Sequence, residues 1–546
     1  MVKMRRSSFH MQPRNTFTCE MGYAVPIACI ETYPGDSWSF NINDAVRMIP
    51  MLAPQYTDIS VSVMAFKVAL RTIWDDWEQF RTGGSDNQDT TVAPYILFSH
   101  ANSNVGFSTL SDYLGIPPLT FYTKDSDGVY QPNTQVVKAS ALPFRAYNKI
   151  WNEWLRVEHI QTEVTISKAS GYDTTTSTAL LRRRWNRDIF TNCLPNMQLG
   201  PQAYLPIATS APVKGDGKTL GLTDGTTQAG IVLGDAVYKQ LSANINAYGK
   251  DVGTGQTYSL YGTTGKNLGV TTDGTKSGLV ADMSQAAAVP WSMVRLTGAM
   301  QRMGEKLMLG GARLPEFYMS FFGVKSSDAR LDRSEYLGGF TSDVHISPIM
   351  QTSSTDATSP QGNQAAVAYH VAGTRRFHTF CEEEGFIIVL MSIRPRTTYC
   401  QGLHKKFQRW TRYDYMNPMF AHLSLQPLKQ SQLYLTGVTN GDNTTNWDDA
   451  SLPDNGTFGF TPNYQELRSL PNEMHGDMLN TRQYWNMARI FDTAPQLNST
   501  FIECHPTKRP FAVTTENGSP DDVCLCETML DINVKRVLPK IGTPKF

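Results

Sequence analysis

The chain predicts a mainly β fold interrupted by one large surface insertion, and three observations predict it. Charged residues make up only 18% of the sequence while Gly (41) and Pro (30) are plentiful, a balance that suits strands joined by many turns. Strand-like patterns outnumber helical ones, led by the alternating segment Ile59–Leu70 and the apolar run Phe386–Ile393. The 86 residues from Leu205 to Pro290 hold 14 of the Gly and no Arg, Glu, Phe, Trp or Cys, so they lack core-forming material. A connection in a compact domain needs about 4–6 residues, so this stretch reads as a displayed insertion rather than a link. Length alone suggests about three domains. Composition instead divides the chain into a basic N-terminal arm (1–20), a folded core (21–204 and 291–546) and the insertion (205–290).

Taken in order, Lys3, Arg5, Arg6, His10 and Arg14 give the arm the charge of a secretory leader's opening. No apolar stretch follows, so no signal peptide is predicted. The arm has no core to join and is read as facing nucleic acid. Gly35-Asp36, Gly83-Gly84 and Pro117-Pro118 mark turns. In Ile59–Leu70, Ile59, Val61 and Val63 alternate with Ser60 and Ser62, the period of a strand. Thr72–Phe80, with Trp74, Trp77 and Phe80, is a short helix candidate. In Leu142–Gln161 the side chains Phe144, Tyr147, Trp151, Trp154 and Leu155 make one apolar stripe at helical spacing, with Pro143 near the start. Phe386–Ile393 reads as a strand buried on both faces and is too short to cross a bilayer. Thr436–Gly456 is a polar stretch, and Val523–Leu538 is a final strand stopped by Pro539.

With 40% apolar and 11% aromatic residues the chain can bury a large core. Its formal net charge of zero excludes coating nucleic acid through bulk charge. The eight cysteines (Cys19, Cys29, Cys193, Cys381, Cys400, Cys504, Cys524 and Cys526) form no Cys-x-x-Cys pair and fit no zinc spacing. They are expected to be reduced and buried, in a reducing compartment, with Cys524 and Cys526 on one face of a strand.

Fragments that tempt an enzymatic reading fail on spacing. Gly215-Asp-Gly-Lys-Thr219 lacks the leading Gly of a phosphate loop, because Pro212 stands there. Glu382-Glu-Glu384 could supply paired carboxylates for glycoside hydrolysis. Three acids before a buried strand fit a solvated strand entrance or an inter-subunit contact better. His370 with His378, and His404 with His422, lack a third ligand, so no metal, cofactor or catalytic residue is predicted. The sequons at Asn443, Asn455, Asn498 and Asn517 are expected to be silent.

Three basic clusters remain: the arm; Arg182-Arg-Arg184 with Arg187 beside Trp185; and Arg394, Arg396, Lys405, Lys406, Arg409 and Arg412 among Phe407, Trp410 and Tyr413. Cations beside aromatic platforms suit single-stranded nucleic acid. They suit protein interfaces equally, and both readings stay open for the second and third clusters.

The segments flanking the insertion resemble the major capsid protein of microviruses, in the gokushovirus branch. The likeness runs in order through Gly22-Tyr-Ala-Val-Pro26, Pro34-Gly-Asp36, Trp74-Asp-Asp-Trp-Glu78 and Phe80. It continues in Leu142-Pro-Phe-Arg-Ala-Tyr-Asn148, Asn152-Glu-Trp154, Asp188-Ile-Phe-Thr191 and Leu194-Pro195. After the insertion come Phe322-Gly-Val324, Ser327-Asp-Ala-Arg-Leu331, Glu335-Tyr-Leu-Gly-Gly339 and Gln351-Thr-Ser-Ser-Thr355. Tyr399-Cys-Gln-Gly-Leu-His404, Thr411-Arg-Tyr-Asp414, Pro418-Met-Phe-Ala-His422, Leu497-Asn-Ser-Thr-Phe501 and Asp531–Pro539 complete it. The order of basic and aromatic residues in Lys405–Trp410 departs from the family's usual one.

The resemblance implies a viral jelly roll, an eight-stranded antiparallel β-sandwich with long, partly helical inter-strand loops. It implies a T=1 icosahedral shell of about sixty copies around circular single-stranded DNA, from a bacteriophage. The expected partners are other copies of the chain, the genome, a small basic packaging protein or other cations, and a host receptor. The receptor would be reached by the insertion, Leu205 to Pro290, whose only aromatics are Tyr238, Tyr248, Tyr258 and Tyr261. Residues expected to face DNA are Lys3, Arg5, Arg6, His10, Arg14, Lys405, Lys406, Arg409, Trp410 and Arg412. The expected location is the virion, after assembly in the host cytoplasm and without membrane insertion. Two other classes are carried alongside: a carbohydrate-active enzyme on a β-sandwich, and a non-viral single-stranded DNA-binding protein.

Overall fold

Strands that bury both of their faces set this architecture. The computed structural model describes residues 6–85, 87–101, 105–126, 129–201, 203, 291–355, 360–373, 376–421, 423–436, 453–512 and 522–540. Within 204–290 it describes only the backbone of seven short strands. The chain divides into two compact units, Met1–Leu199 with Glu305–Phe546, and Gly200–Gly304.

The larger unit is a jelly roll, antiparallel throughout its two main sheets. The first sheet takes β1 (Ser7–Met11) and β2 (Arg14–Cys19) end to end along β11 (Cys524–Arg536). On its other side β11 pairs with β4 (Ser37–Met48). Next to β4 lie β8 (Gln364–Gly373) and β9 (Phe377–Phe380), and β7 (His345–Met350) adds an edge beside β8. The second sheet runs β3 (Val25–Thr32), β10 (Gly385–Pro395), β5 (Ile59–Ala69), β6 (Glu335–Asp343). The chain changes sheet six times along these eleven strands, which wraps it into the roll. A tight turn at Gly22, with φ of 91°, carries it from β2 to β3, where any side chain would collide with the carbonyl of Cys504.

Period-two patterning builds the core between the sheets. Trp38, Phe40, Ile42, Val46 and Met48 of β4 meet Ile387, Val389, Met391 and Ile393 of β10 and Cys526, Leu530, Ile532 and Val534 of β11. The opposite face of β10, Phe386, Ile388 and Leu390, enters a second core with Phe66 and Val68 of β5. Helix α1 (Leu142–Ile150) covers that face with Phe144, Tyr147 and Ile150. β10 is therefore buried at every position, as its continuous apolar run predicts. A third cluster gathers Ile189, Phe190, Tyr399, Leu428, Phe458 and Phe501 around the long excursion that follows β10.

Three expectations need correction. Residues 7–19 are not an arm without a core: they are two strands paired to β11, with Cys19 buried and Phe9 and Phe17 packed on the core. Ser60 and Ser62 of β5 are buried beside its apolar residues, Ser60 Oγ donating to the Arg394 carbonyl at 3.2 Å. The candidate helix Thr72–Phe80 is instead a 3-10 turn at Leu70–Thr72 and a short helix at Trp77–Thr82. Trp74 lies between the two and is buried. The Leu142–Gln161 helix ends early: α1 passes into a π turn at Trp151–Leu155 and stops. The insertion's Leu205, Tyr238, Tyr248, Tyr258 and Pro290 lie outside the described residues. So does the side chain of Tyr261, and so do most of Thr436–Gly456 and the sequons Asn443 and Asn517.

All eight cysteines are free thiols, six of them buried, while Cys29 and Cys400 are half-buried. Cys524 and Cys526 do share one face of β11, both inward with Leu525 outward, and Cys526 Sγ lies 3.6 Å from Cys19 Sγ.

Candidate functional site

The third basic cluster folds into a ledge on the excursion after β10. His404 caps the 3-10 turn Lys405–Phe407, its Nδ1 accepting from the Lys406 amide at 3.0 Å. Asp414 then ties a tight loop: one carboxylate oxygen accepts from the Trp410 amide at 2.9 Å and the Thr411 amide at 2.7 Å. Burial opposes the Asp414 charge, but the Thr411 and Trp410 donors outweigh it and hold the carboxyl below its usual range. Beneath the ledge sits Glu466, almost fully buried, with Lys405 Nζ at 3.3 Å, Arg409 Nη2 at 3.7 Å and a hydrogen bond from Gln426 at 2.7 Å. Burial would raise the Glu466 pKa; the Gln426 bond and Lys405 lower it overall.

That anchor divides the predicted residues by role. Lys405 and Arg409 neutralise Glu466 and hold the ledge in place. Lys406, Phe407, Trp410, Arg412 and Tyr413 stand outward, with Trp410 64% exposed. Lys406 lies 4.9 Å above the Phe407 ring and Arg412 4.7 Å above the Tyr413 ring. Trp410, Tyr413, Phe420, Tyr464, Lys405 and Lys429 line a cleft of about 500 Å3 beside them. Flat rings with cations on their faces can stack bases and meet phosphates, or bury against a protein neighbour. Glu466 carried no sequence signal, since nothing in its neighbourhood marks one acid as the counter-charge for two cations some sixty residues away.

The N-terminal residues lie elsewhere, along the β1–β2 edge. His10 pairs with Asp531 at 2.6 Å, Arg14 with Glu527 at 3.5 Å, and Arg6 lies 5.5 Å above the Phe380 ring. Lys3 and Arg5 lie outside the described residues. The second cluster is largely spent inside the fold. Arg182 stacks 3.9 Å over Tyr23 and donates to the Cys504 carbonyl at 2.9 Å. Burial and the neighbouring Arg394 charge pull the Arg183 pKa down to about 9. Arg394, itself buried, donates to the Arg184 carbonyl. Of the three acids, Glu383 pairs with Arg71 at 2.6 Å and Glu384 with Arg81 at 3.0 Å, so their partners belong to the same chain. Among the described residues no group of three His, Cys, Asp or Glu is placed to hold a metal ion, and no helix is long and apolar enough to cross a membrane.

The whole chain, residues 1–546, matches the model of a family described as Capsid protein (F protein). The chain belongs to that capsid protein family. It is 31% identical over 533 residues to capsid protein VP1 of Bdellovibrio phage phiMH2K, covering 94% of this chain and 91% of the relative. It is 29% identical to capsid protein VP1 of Chlamydia phage 1, covering 95% and 92% of the two chains. With capsid protein VP1 of Spiroplasma virus 4 it is 28% identical, covering 99% and 95%. The microvirus resemblance read from the sequence is thereby upheld, and the jelly roll agrees with it. This capsid chain is structural rather than enzymatic, and a capsid chain belongs to a virion.

Proposed function

We propose that this chain builds a T=1 icosahedral shell of about sixty copies around circular single-stranded DNA, in the cytoplasm of a bacterial host. The observation that carries the reading is the jelly-roll order of the sheets in a chain whose full length matches a capsid family. In this reading residues 205–290 are displayed outward and meet a host receptor. The outward members of the ledge, Lys406, Trp410 and Arg412, meet the genome. Lys405 and Arg409 support them, while Lys3, Arg5, Arg6, His10 and Arg14 make local contacts with the genome. A small basic protein or other cations complete the neutralisation.

Negative-stain imaging and sedimentation of the purified protein test the reading directly. The expected result is a large, uniform particle that protects DNA from nuclease. A monodisperse monomer at micromolar concentration under every ionic condition overturns it. Within particles, Trp410→Ala with Arg412→Ala is expected to lower packaged DNA while leaving the particle count unchanged. Loss of particles instead would reassign the ledge to a subunit interface.

A further inference from the structure

A second cleft, separate from the ledge, holds two arginines, Arg489 and Arg509, neither of them ion-paired with an acid. Its volume is about 490 Å3, within the range of small-ligand sites, and Trp185, Arg489, Phe491, Glu503, His505 and Arg509 line it. Aromatic rings hold the Arg489 guanidinium: Phe501 at 4.1 Å, Trp185 at 4.9 Å and Phe491 at 5.2 Å. It donates to the Phe501 carbonyl at 2.8 Å and to the Tyr399 hydroxyl at 3.5 Å. Arg509 donates to Thr507 Oγ1 at 3.0 Å, Gln483 Oε1 at 2.9 Å and the Ala488 carbonyl at 2.9 Å. All of these acceptors are neutral. Burial pulls the Arg509 pKa below its ordinary value.

Two acids, Asp492 and Glu503, line the same cleft, but neither is paired with an arginine. Glu503 accepts from Ser499 at 2.7 Å and Gln161 at 3.2 Å and faces His505 at 3.4 Å, so it is already satisfied. Asp492 is exposed at the cleft's margin. Trp185 is 2% exposed, and its buried indole N–H has no acceptor. A buried donor without an acceptor is costly, so such a group marks a place where a ligand atom or water belongs. Guanidinium forks match the oxygens of a phosphate, and Phe491 offers a flat apolar wall beside them.

We propose that this cleft is a phosphate-binding site that takes one nucleotide of a DNA strand, with the phosphate on Arg489 and Arg509 and the nucleoside against Phe491. The strand as the source of the phosphate rests on the DNA-enclosing reading above; the demand for a phosphate does not. The test uses full-length protein released from purified particles, a fluorescent short oligothymidylate, and inorganic phosphate as competitor. Arg509→Gln should weaken oligothymidylate binding roughly tenfold or more, the worth of a charge-assisted hydrogen bond, and lower the salt slope by about one ion. Arg509→Lys should restore the slope, which a purely structural role would not move. Arg489→Gln provides a second arm should Arg509→Gln fail to fold. Unchanged affinity and slope in both Gln variants overturn the site. Competition by phosphate without oligothymidylate binding overturns the strand assignment. Particles that hold DNA while both Gln variants are silent remove this site and leave the enclosing reading intact; particles free of DNA do the reverse if phosphate still binds.

Discussion

Two buried charge pairs show how single residues fix this fold. Arg145 on α1 reaches Asp173 through Nε at 2.9 Å and Nη2 at 2.7 Å, both side chains being fully buried. It also donates to the carbonyls of Ile73 at 3.2 Å and Ala169 at 2.8 Å, so one guanidinium ties two segments to the helix. Removing one partner of such a pair leaves an uncompensated buried charge. Asp173→Ala is therefore expected to destabilise the subunit by about 3–5 kcal/mol, read from denaturant unfolding. A change under about 1 kcal/mol would show that the pair is not what pins α1. The second pair lies within the first sheet, and its histidine also reaches across to the second. His370 on β8 lies 3.2 Å from Asp44 on β4 and, through Nδ1, 3.2 Å from the Asp343 carbonyl on β6. Burial alone would lower the His370 pKa, but Asp44 and the Asp343 carbonyl outweigh it and raise it above the ordinary value. A group whose pKa is raised by folding stabilises fully below its unfolded value, about 6.5, and that contribution is lost as pH climbs through the folded value. Thermal stability should consequently fall as pH rises from mildly acidic into the alkaline range, and His370→Gln should flatten that fall. An equally steep fall in the variant would assign the pH dependence elsewhere.

Elements were legible where the pattern was local. The run Phe386–Ile393 has no polar interruption, so burial of both faces could be read without knowing what covered them. The final strand was legible because Pro539 ends it. β1 and β2 were not, since Arg6, His10 and Arg14 dominate the segment while its inward residues, Phe9 and Phe17, are few and widely spaced. Their partner β11 lies some five hundred residues away, and no local signal announces such a pairing. The ledge was half legible: sequence placed cations beside aromatics but could not separate the anchored Lys405 and Arg409 from the outward Lys406, Trp410 and Arg412. The insertion makes its own prediction at this scale. With no Phe or Trp and only six Lys and six Asp as charges, residues 205–290 can contribute little to the cores described here. Replacing Val213 through Met283 by a short Gly/Ser linker should leave particles that assemble but adsorb poorly to host cells. Failure to fold, or unaltered adsorption, would end the display reading.

For the whole molecule, charge decides what else the particle needs. A shell holding a genome of a few kilobases encloses on the order of tens of phosphates per subunit, each requiring a counter-ion. This chain carries 49 basic and 49 acidic residues, a formal net charge of zero. Many of the cations are also committed: Lys405 and Arg409 to Glu466, Arg14 to Glu527, Arg145 to Asp173. Local clusters can position a strand but cannot neutralise its length. On the proposed DNA-enclosing reading, a separate basic peptide, polyamines or metal cations would supply the balance. Compositional analysis of purified, DNA-filled particles should find such a component in amounts comparable to the phosphate. Changing Lys3, Arg5 and Arg6 to Ala should then reduce packaged DNA more than it reduces shell stability. Particles that hold a full genome with no other cationic species would refute the argument, because the chain's own charges could not have held the DNA.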